Sequence, residues 1–228
     1  LESFYKTLKV IGHLTVHDDG TLTEKAYSII KRLFPSAKIV NVNDFLKEHD
    51  SELRLYPTLH EFRKIFKPFQ SKKLLDVYFK RQGEVILYLD SDLLWFQSSP
   101  EICEAVIRQA RHVSYMMSNG TERVHVTFKD GTRTSDAIAE YNSGVTLFHS
   151  ANYNLDELTA YINRCDYMGR KFTDQACFGS ILKYVTILPR DKYFIKGKIS
   201  DTTIMRHYTG PTREKFYFYG LDRIHKVI

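Results

Sequence analysis

The chain has 228 residues, 43% of them hydrophobic and 26% charged, a composition that indicates one globular domain with a sizeable core. No run approaches the roughly 18 uninterrupted apolar residues of a membrane-spanning helix, and the first residues lack the basic and apolar segments of a signal peptide. The net charge of +6 suits an anionic ligand without demanding nucleic acid. Residues 63–73 mix basic and aromatic side chains, and a solvated helical surface is favoured there over an RNA-binding face.

The first half of the chain alternates between strand and helix patterns. Apolar residues at helical spacing predict helices, an uninterrupted apolar run predicts a buried strand, and Asp18-Asp19-Gly20 predicts a turn. Ser71 is expected to cap the helix that it begins. The predicted elements are helix 1–8, strand 10–16, helix 23–34, strand 37–42, helix 71–80 and a central parallel strand at 84–89.

The second half continues this alternation. Residues 98–101 (Ser-Ser-Pro-Glu) have the hydroxyl cap, the early proline and the first-turn acid of a helix start, and residues 129–132 (Lys-Asp-Gly-Thr) predict a turn. The predicted elements are helix 98–111, strands 112–117, 124–129 and 144–149, helices 155–166 and 174–184, and strand 186–188. The pattern is that of a single α/β domain over residues 1–228, onto which the aromatic and basic segment 204–228 folds back.

Three cysteines, Cys103, Cys165 and Cys177, have no paired spacing, and their odd number argues against a disulfide framework. Two of them fall in predicted helices, where buried thiols are common. We therefore expect free structural thiols, which favours a reducing compartment such as the cytoplasm.

Residues 85–92 (Val-Ile-Leu-Tyr-Leu-Asp-Ser-Asp) lead a buried strand directly into two acids. The carboxyl end of a strand is where open α/β sheets bind ligands. Two carboxylates one residue apart can both reach a hard divalent cation, which then offsets the charge of a diphosphate. A solvated turn or a helix cap is the alternative, but a cap requires only one acid. Asp90 and Asp92 are therefore predicted to bind a metal ion.

Four motifs in one order resemble those of the glycosyltransferase-A fold, and within it the glycogenin-like and galactosyltransferase-like retaining enzymes. Residues 87–96 (Leu-Tyr-Leu-Asp-Ser-Asp-Leu-Leu-Trp-Phe) match the aspartate motif of that family. Residues 140–145 (Glu-Tyr-Asn-Ser-Gly-Val) resemble the second motif and residues 173–176 (Thr-Asp-Gln-Ala) the third. Residues 207–213 (His-Tyr-Thr-Gly-Pro-Thr-Arg) are similar to the fourth, His-x-x-Gly-x-x-Lys. The resemblance implies a mixed, mostly parallel central sheet flanked by helices, with a small hairpin insertion.

The resemblance also implies which residues hold the metal and the donor. Asp90, Asp92 and His207 would bind Mn²⁺ or Mg²⁺, and the imidazole favours Mn²⁺. Asp174 and Gln175 would meet the donor sugar near its anomeric carbon and carry the catalysis. Contacts to the nucleotide diphosphate sugar, implied to be a UDP-sugar, are assigned to Lys73, Asp90, Asn142, Ser143, Gly144, Gly210 and Arg213.

Two basic positions differ from the family pattern or leave a choice. Arg213 stands where the fourth motif has lysine, and its guanidinium can bind a phosphate with a different reach, a role that Lys215 could share. Lys72 adjoins Lys73 and is an alternative for the lysine that precedes the metal motif.

Some of these residues also have plain structural interpretations. Asn-Ser-Gly at residues 142–144 fits a turn before a strand, and Thr173 with Asp174 fits the capped, acidic start of a helix. His149, on an alternating strand, is predicted to be a core histidine with its hydrogen bonds satisfied.

The motifs predict transfer of a hexosyl group from the nucleotide diphosphate sugar to a hydroxyl acceptor such as a carbohydrate. The metal and Arg213 or Lys73 would stabilise the departing diphosphate, and the resemblance favours retention of the anomeric configuration. Two rivals stay open. One is a phosphohydrolase of the haloacid-dehalogenase type, whose strand also ends in Asp-x-Asp. The other is a glycosyltransferase-like domain that binds ligands without turnover.

Two further expectations concern the ends of the chain. The family's first strand, whose end binds the nucleotide base, does not precede helix 1–8, so it lies upstream of Leu1 or the donor binds differently. The segment that carries His207 is expected to close over the donor and to be ordered chiefly by ligand. The alternative is a permanently packed tail held by Phe216, Tyr217 and Phe218.

Overall fold

The structure, a computed structural model, describes residues 2–8, 12–65, 68–166 and 173–221. The helices are α1 (Glu2–Thr7), α2 (Glu24–Leu33), α3 (Val42–Arg54), α4 (Pro57–Ile65), α5 (Pro68–Phe79), α6 (Pro100–Ile107), α7 (Asp136–Ala139), α8 (Leu155–Arg164) and α9 (Asp174–Ile181). The strands are β1 (Thr15–Asp18), β2 (Lys38–Asn41), β3 (Val85–Leu89), β4 (Leu93–Trp95), β5 (Ser114–Ser118), β6 (Tyr141–His149), β7 (Val185–Ile187), β8 (Tyr193–Phe194) and β9 (Met205–His207). Among the described residues, no helix combines the length and the apolar character that crossing a bilayer requires.

The strands form three sheets. The main sheet has the order β3-β6-β5-β7, a second sheet has the order β4-β9-β8, and β1 and β2 pair in parallel by themselves. The predicted mixed α/β architecture is confirmed. The parallel part is smaller than predicted, because β6 runs antiparallel to both β3 and β5, and only β5 and β7 are parallel in the main sheet.

Strand β3 differs from its predicted place in the sheet. It was expected to be a central parallel strand, but among the described strands it lies at the edge of the main sheet and pairs only with β6, in antiparallel register. The reason is that a continuous apolar run reports burial on both faces and not the direction of the neighbouring strand.

The main sheet separates two hydrophobic cores. Alternate residues of its strands point to opposite faces, so that Ile86 and Phe148 pack with helices α3, α4, α5, α8 and α9, whereas Val145 and Leu147 pack with α1, α6 and the second sheet. The carboxyl end of β3 therefore lies where the two hydrophobic cores and the second sheet meet.

The helix starts predicted from the caps Ser99 and Thr173 are confirmed, and the start at Thr23, predicted from apolar spacing, is capped in the same way. The hydroxyls of Thr23, Ser99 and Thr173 each accept a hydrogen bond from the backbone N–H three residues later. The prediction for Ser71 was wrong, because α5 begins one turn earlier at Pro68 and Ser71 lies buried inside it. Proline fits that first turn, where its missing N–H costs no helical hydrogen bond.

Some elements were missed or assigned too long. Helices α3 and α4 and strand β4 were not predicted, and the strand predicted at 124–129 is reduced to isolated bridges from Thr127 to Arg133 and from Phe128 to Cys165. The turn at 129–132 is confirmed, because Asp130 Oδ1 accepts from the backbone N–H of Thr132. The hairpin insertion is therefore a minimal one. Residues 10 and 11 of the first predicted strand lie outside the described residues.

Residues 63–73 were predicted to form a solvated surface. Three of their basic side chains are buried instead. Arg63 is buried and donates two hydrogen bonds to the carboxylate of Asp76, at 2.8 and 2.9 Å. Lys72 and Lys73 are also buried. Each lies on the helix face that packs inward, which the sequence pattern alone did not reveal.

The three cysteines are free, as predicted. Cys165 and Cys177 are buried, and Cys103 is partly exposed on α6. Burial raises the pKa of Cys165 to about 12, so this thiol is protonated and unreactive at neutral pH.

The segment that carries His207 is held by protein contacts. Strand β9 pairs with β4 on one side and with β8 on the other, and residues 204–208 are all buried. The expectation that ligand orders this segment is therefore wrong for residues 204–208, and the packed alternative applies. Of the three aromatic anchors proposed for that alternative, Phe216 packs against Tyr208, whereas Tyr217 and Phe218 are exposed. Residues 222–228 lie outside the described residues.

Candidate active site

Asp90 and Asp92 lie in the turn that joins β3 to β4, and this turn is fixed on both sides by backbone hydrogen bonds. The N–H of Asp90 donates to the carbonyl of Gly144 on β6, at 2.8 Å. The carbonyl of Asp92 accepts from the N–H of Tyr208, just after β9, at 2.9 Å. The main sheet and the second sheet thus both hold the turn that carries the two acids.

The fold brings His207 to these two carboxylates although it is far away in sequence. Nε2 of His207 lies 2.9 Å from Oδ1 of Asp92 and 3.6 Å from Oδ2 of Asp90. One possible ligand atom from each of the three residues lies within 4.8 Å of the others. Two carboxylates and one imidazole are a donor set that suits Mn²⁺ or a related divalent ion.

Gly144 makes room for His207. A Cβ atom at position 144 would lie 2.3 Å from Cε1 and 2.4 Å from Nδ1 of His207, closer than any real contact. Only glycine therefore lets the imidazole ring lie against β6 in this position. The motif Asn-Ser-Gly was also compatible with a turn before the strand, but all three residues lie inside β6, which begins at Tyr141.

Asn142 holds the other side of the imidazole. Its Oδ1 lies 3.1 Å from Nδ1 of His207 and accepts from the N–H of Gly144 at 2.9 Å. Its amide nitrogen donates to Oδ1 of Asn119 at 3.3 Å. Asn142 is buried beside His207.

A second group of charges adjoins the first through Asp90. The ammonium of Lys73 on α5 lies 2.9 Å from Oδ1 of Asp90 and 3.0 Å from Oδ2 of Asp174 on α9. Ser143 accepts from Lys73 at 3.0 Å and donates to Asp174 at 2.6 Å. Because Asp90 faces Lys73 with one oxygen and His207 with the other, the two groups form one continuous site.

The electrostatics keep this second group ionised. Burial alone would raise the pKa of Asp174, but the charge of Lys73 and the hydroxyl of Ser143 outweigh it, so the pKa lies below its usual value. Burial likewise opposes the charge of Lys73, and the carboxylates of Asp174 and Asp90 outweigh it and raise the pKa. Lys73 is therefore a permanent cation at neutral pH.

Asp92 is also held as a carboxylate. Burial raises its pKa, but hydrogen bonds and charges from His207 and Arg213 bring the pKa below its usual value. The guanidinium of Arg213, itself largely exposed, donates from Nη2 to Oδ2 of Asp92 at 2.9 Å. Across the whole site, three carboxylates face two permanent side-chain cations, which leaves it receptive to a further positive charge.

The remaining predicted site residues lie around this centre with fewer contacts. Gln175 is half-buried in the first turn of α9, directly after Asp174. Gly210 begins a 3₁₀ turn with a φ of 43°, a left-handed value that favours glycine, and its carbonyl accepts from the N–H of Arg213. Lys215 is exposed in the following turn.

The structure answers two questions about individual residues that the sequence raised. Lys73 and not Lys72 contacts Asp90 and Asp174, because adjacent residues of a helix point in different directions. His149 is a buried histidine whose Nδ1 accepts from the N–H of Ala151 at 3.1 Å, as predicted for a satisfied core residue.

Two neighbours of the predicted site residues were not singled out from the sequence. Tyr88 donates from its hydroxyl to Oδ1 of Asp90 at 2.9 Å, and the Lys73 ammonium lies 4.7 Å from the centre of its ring. Alternate residues of a strand share a face, so the position of Tyr88 two residues before Asp90 was a usable signal. Asn119, whose Oδ1 accepts from the amide of Asn142, lies outside the group of charged residues, follows β5 and had no such signal.

The chain was also compared with known proteins. No protein-family model and no curated protein matches it in sequence. Solved structures do match: mouse xyloside xylosyltransferase 1 has a TM-score of 0.57 and 14% identity over 92% of this chain and 90% of its own. The galactosyltransferase LgtC has a TM-score of 0.59 and 14% identity, over 99% of this chain and 88% of its own.

A third match is the bifunctional glycosyltransferase WbbM, with a TM-score of 0.56 and 13% identity over 97% of this chain and 51% of its own. Sequence identities at this level show a common fold and do not by themselves transfer an activity. The type of fold that the four motifs implied is confirmed: this chain has a fold of the glycosyltransferase-A type.

Proposed function

We propose that this chain is a metal-dependent glycosyltransferase that moves a hexosyl group from a nucleotide diphosphate sugar, a UDP-sugar by family resemblance, to a hydroxyl acceptor. The observation that carries the proposal is the convergence of Asp90, Asp92 and His207 at the carboxyl end of β3. Residues 90 and 207 are far apart in sequence, yet their side chains meet where α/β sheets bind ligands. The same fold in three solved glycosyltransferases supports it.

A divalent ion, Mn²⁺ or Mg²⁺, would be held by Asp90, Asp92 and His207 and would neutralise charge on the diphosphate. Arg213 lies on the outer side of Asp92, where its exposed guanidinium can contact a phosphate oxygen. Lys73 is bound to Asp90 and Asp174, so its charge acts on the site from inside. Negative charge that grows on the leaving diphosphate is stabilised by such preorganised cations.

We propose that the sugar is contacted by Asp174 and Gln175, because α9 begins beside the ion pairs of Lys73. Oδ2 of Asp174 is bound to Lys73 and Ser143, which fixes the direction of the carboxylate. The resemblance to retaining enzymes implies that the product keeps the anomeric configuration of the donor. Proton NMR of the first product, before mutarotation, distinguishes the two configurations.

The two rival functions make different demands on the same residues. In a phosphohydrolase of the haloacid-dehalogenase type, the first aspartate is a nucleophile. Oδ1 of Asp90 instead accepts from Tyr88 and Lys73, and the fold resembles glycosyltransferases, which favours the transferase. A binding domain without turnover would share the fold, so activity has to be measured.

The test is a screen of nucleotide sugars with Mn²⁺, which measures release of the nucleoside diphosphate with and without simple sugar acceptors. We expect metal-dependent release from one donor and no hydrolysis of a simple phosphate ester. Asp92→Asn should abolish release at nearly constant side-chain volume, and Asp191→Asn, at an exposed position, should not. Release from no donor while a nucleotide sugar still binds would favour the binding domain, and phosphate-ester hydrolysis would favour the phosphohydrolase.

A further inference from the structure

The side-chain amide of Asn142 has one orientation that its neighbours permit. Its Oδ1 faces the backbone nitrogen of Gly144 at 2.9 Å, and a backbone N–H can only donate. The oxygen and not the amide nitrogen must therefore lie on that side. The nitrogen then faces an acceptor, Oδ1 of Asn119, at 3.3 Å. Both contacts require the same orientation, so the hydrogen-bond partners determine it.

This orientation decides which nitrogen of His207 carries the proton. The same oxygen, Oδ1 of Asn142, lies 3.1 Å from Nδ1 of His207, and an amide oxygen can only accept. Nδ1 must therefore hold a hydrogen and donate it. When the imidazole is neutral this is its single N–H, so Nε2 of His207 keeps its lone pair; when the ring carries a second proton, Nε2 donates that proton to Asp92.

The lone pair of Nε2 points at the two acids. Oδ1 of Asp92 lies 2.9 Å away and Oδ2 of Asp90 lies 3.6 Å away. Three electron-pair donors that converge in this way repel one another unless a proton on Nε2 or a metal ion lies among them. A divalent metal satisfies all three, and imidazole binds metals through a nitrogen that carries no proton.

We infer that Asn142 is a positioning residue that holds His207 in the tautomer whose Nε2 binds the metal. The inference rests on the proposed function, and it deepens that function by assigning Asn142 a protein partner. The resemblance implies a contact from Asn142 to the donor. Both lone pairs of its Oδ1 are already used by Gly144 and His207, and one of its two N–H groups is used by Asn119. A single N–H remains for a ligand.

Burial makes this control effective. Asn142 and His207 are 6% and 3% exposed, so water cannot readily replace the amide oxygen. Without that oxygen, a proton on Nδ1 would be buried with no acceptor, which is unfavourable. The proton would then favour Nε2, where Asp92 accepts it. That tautomer blocks the metal ligand, because a metal ion must first displace the proton.

The test measures the tautomer directly in metal-free protein by long-range ¹H–¹⁵N NMR of labelled histidines at alkaline pH, where the rings are neutral. The chain has nine histidines, so the signals of His207 are identified by their absence in His207→Gln. We expect the Nδ1–H form in the parent and the Nε2–H form in Asn142→Leu. Asn142→Asp keeps an acceptor at this place and should restore the Nδ1–H form.

Calorimetry with Mn²⁺ gives the second readout. Loss of such a supporting hydrogen bond typically lowers metal affinity 10–100-fold, and we expect this for Asn142→Leu. Asn119→Ala is the matched control, because it removes the partner of the amide nitrogen and leaves Oδ1 in contact with His207. Its tautomer and its affinity for Mn²⁺ should equal those of the parent.

Three results would overturn the inference. They are an Nε2–H form in the parent, an unchanged tautomer and Mn²⁺ affinity in Asn142→Leu, and an equal loss of affinity in Asn119→Ala. The parent spectrum decides even if a variant does not fold. A parent that binds no Mn²⁺ would contradict the proposed function, whereas a parent that binds Mn²⁺ but shows the Nε2–H form would overturn the role of Asn142 alone.

Discussion

At the scale of single residues, the site depends on Gly144, which has no side chain and so leaves space for His207. We predict that Gly144→Ala displaces the imidazole of His207, because the added Cβ would lie 2.3 Å from its Cε1. The cost of overpacking is about 1–3 kcal/mol of unfolding free energy. Affinity for Mn²⁺ should fall with it, as measured by calorimetry beside urea unfolding. Gly83→Ala is the control, because nothing lies within 4 Å of a Cβ there. Unchanged Mn²⁺ affinity in Gly144→Ala would contradict this account.

A second prediction at this scale concerns His17 on β1. Burial, together with the charges of Lys80 and Lys72, lowers its pKa to about 4. The folded protein thus holds this ring neutral, and the unfolded chain takes up a proton near the ordinary pKa of about 6.5. The stability that this difference contributes is complete above pH 6.5 and is lost as the pH falls towards 4.

We therefore expect His17→Gln to flatten the pH dependence of unfolding. Between pH 7 and pH 5 the parent should lose on the order of 1–2 kcal/mol more than the variant. Urea unfolding at both pH values gives the two differences, and the remaining histidines cancel in the comparison. An equal loss in parent and variant would show that His17 is protonated in the folded protein.

The residue scale is also where sequence reasoning was most and least informative. The acids Asp90 and Asp92 could be predicted, because two carboxylates after an apolar run have few other uses. The contact of Lys73 with Asp174 could not, since it depends on how α5 and α9 pack, and neighbouring Lys72 has the same chemistry in sequence. The amide of Asn142 is oriented by the N–H of Gly144 and meets an acceptor in Asn119, and no sequence pattern links Asn119 to Asn142.

At the scale of elements, helix α5 carries two buried lysines with opposite roles. Lys73 is bound to Asp90 and Asp174, whereas Nζ of Lys72 has no hydrogen-bond partner among the described residues and burial lowers its pKa. We predict that Lys73→Met lowers the free energy of unfolding by about 3–5 kcal/mol, because it leaves the buried Asp174 without its cation.

Lys72→Met is the matched control for this prediction. It removes a buried charge that lacks a hydrogen bond, so stability should change by less than about 1 kcal/mol or rise. Urea unfolding of both variants gives the comparison. Equal losses would mean that the ion pair of Lys73 contributes nothing specific to the fold.

Element boundaries were predictable where a local signal marks them. Three helices begin after a hydroxyl residue that caps them without tertiary contacts, namely Thr23, Ser99 and Thr173. Helix α3 had no such signal, because it begins at Val42 directly after β2 ends. Strand β4 has three residues and is defined by pairing with β9, which lies more than a hundred residues away. Pairing at that distance leaves no local pattern.

At the scale of the whole molecule, the class of fold followed from the alternation of strand and helix patterns, but the directions of the strands did not. Burial dictates apolar runs, and both parallel and antiparallel strands satisfy it. The place of the base-binding strand stays a prediction: β1 and β2 form a separate parallel pair. The sheets matter for function because the turn 90–92 is bonded to β6 and to the residue after β9.

This arrangement predicts how ligands stabilise the molecule. A metal on Asp90, Asp92 and His207 would join the main sheet to the second sheet, so that both should unfold together at a higher temperature. A ligand at 100 times its dissociation constant adds about 2.7 kcal/mol, and about 2–4 °C per kcal/mol is typical for a domain of this size. We expect Mn²⁺ with a nucleoside diphosphate to raise the melting temperature by about 5–10 °C.

The comparison that decides is a cycle of two proteins and two ligand conditions. Asp92→Asn removes one carboxylate from the site at nearly constant volume. The increase in melting temperature caused by the nucleoside diphosphate with Mn²⁺ should therefore fall to the increase that the nucleotide causes alone. Differential scanning calorimetry measures both values. The parent should show one cooperative transition that moves as a whole, because the ligand binds residues of both sheets. If the transition splits, or if the melting temperature of Asp92→Asn increases as much as that of the parent, the metal does not bridge the two sheets through these residues.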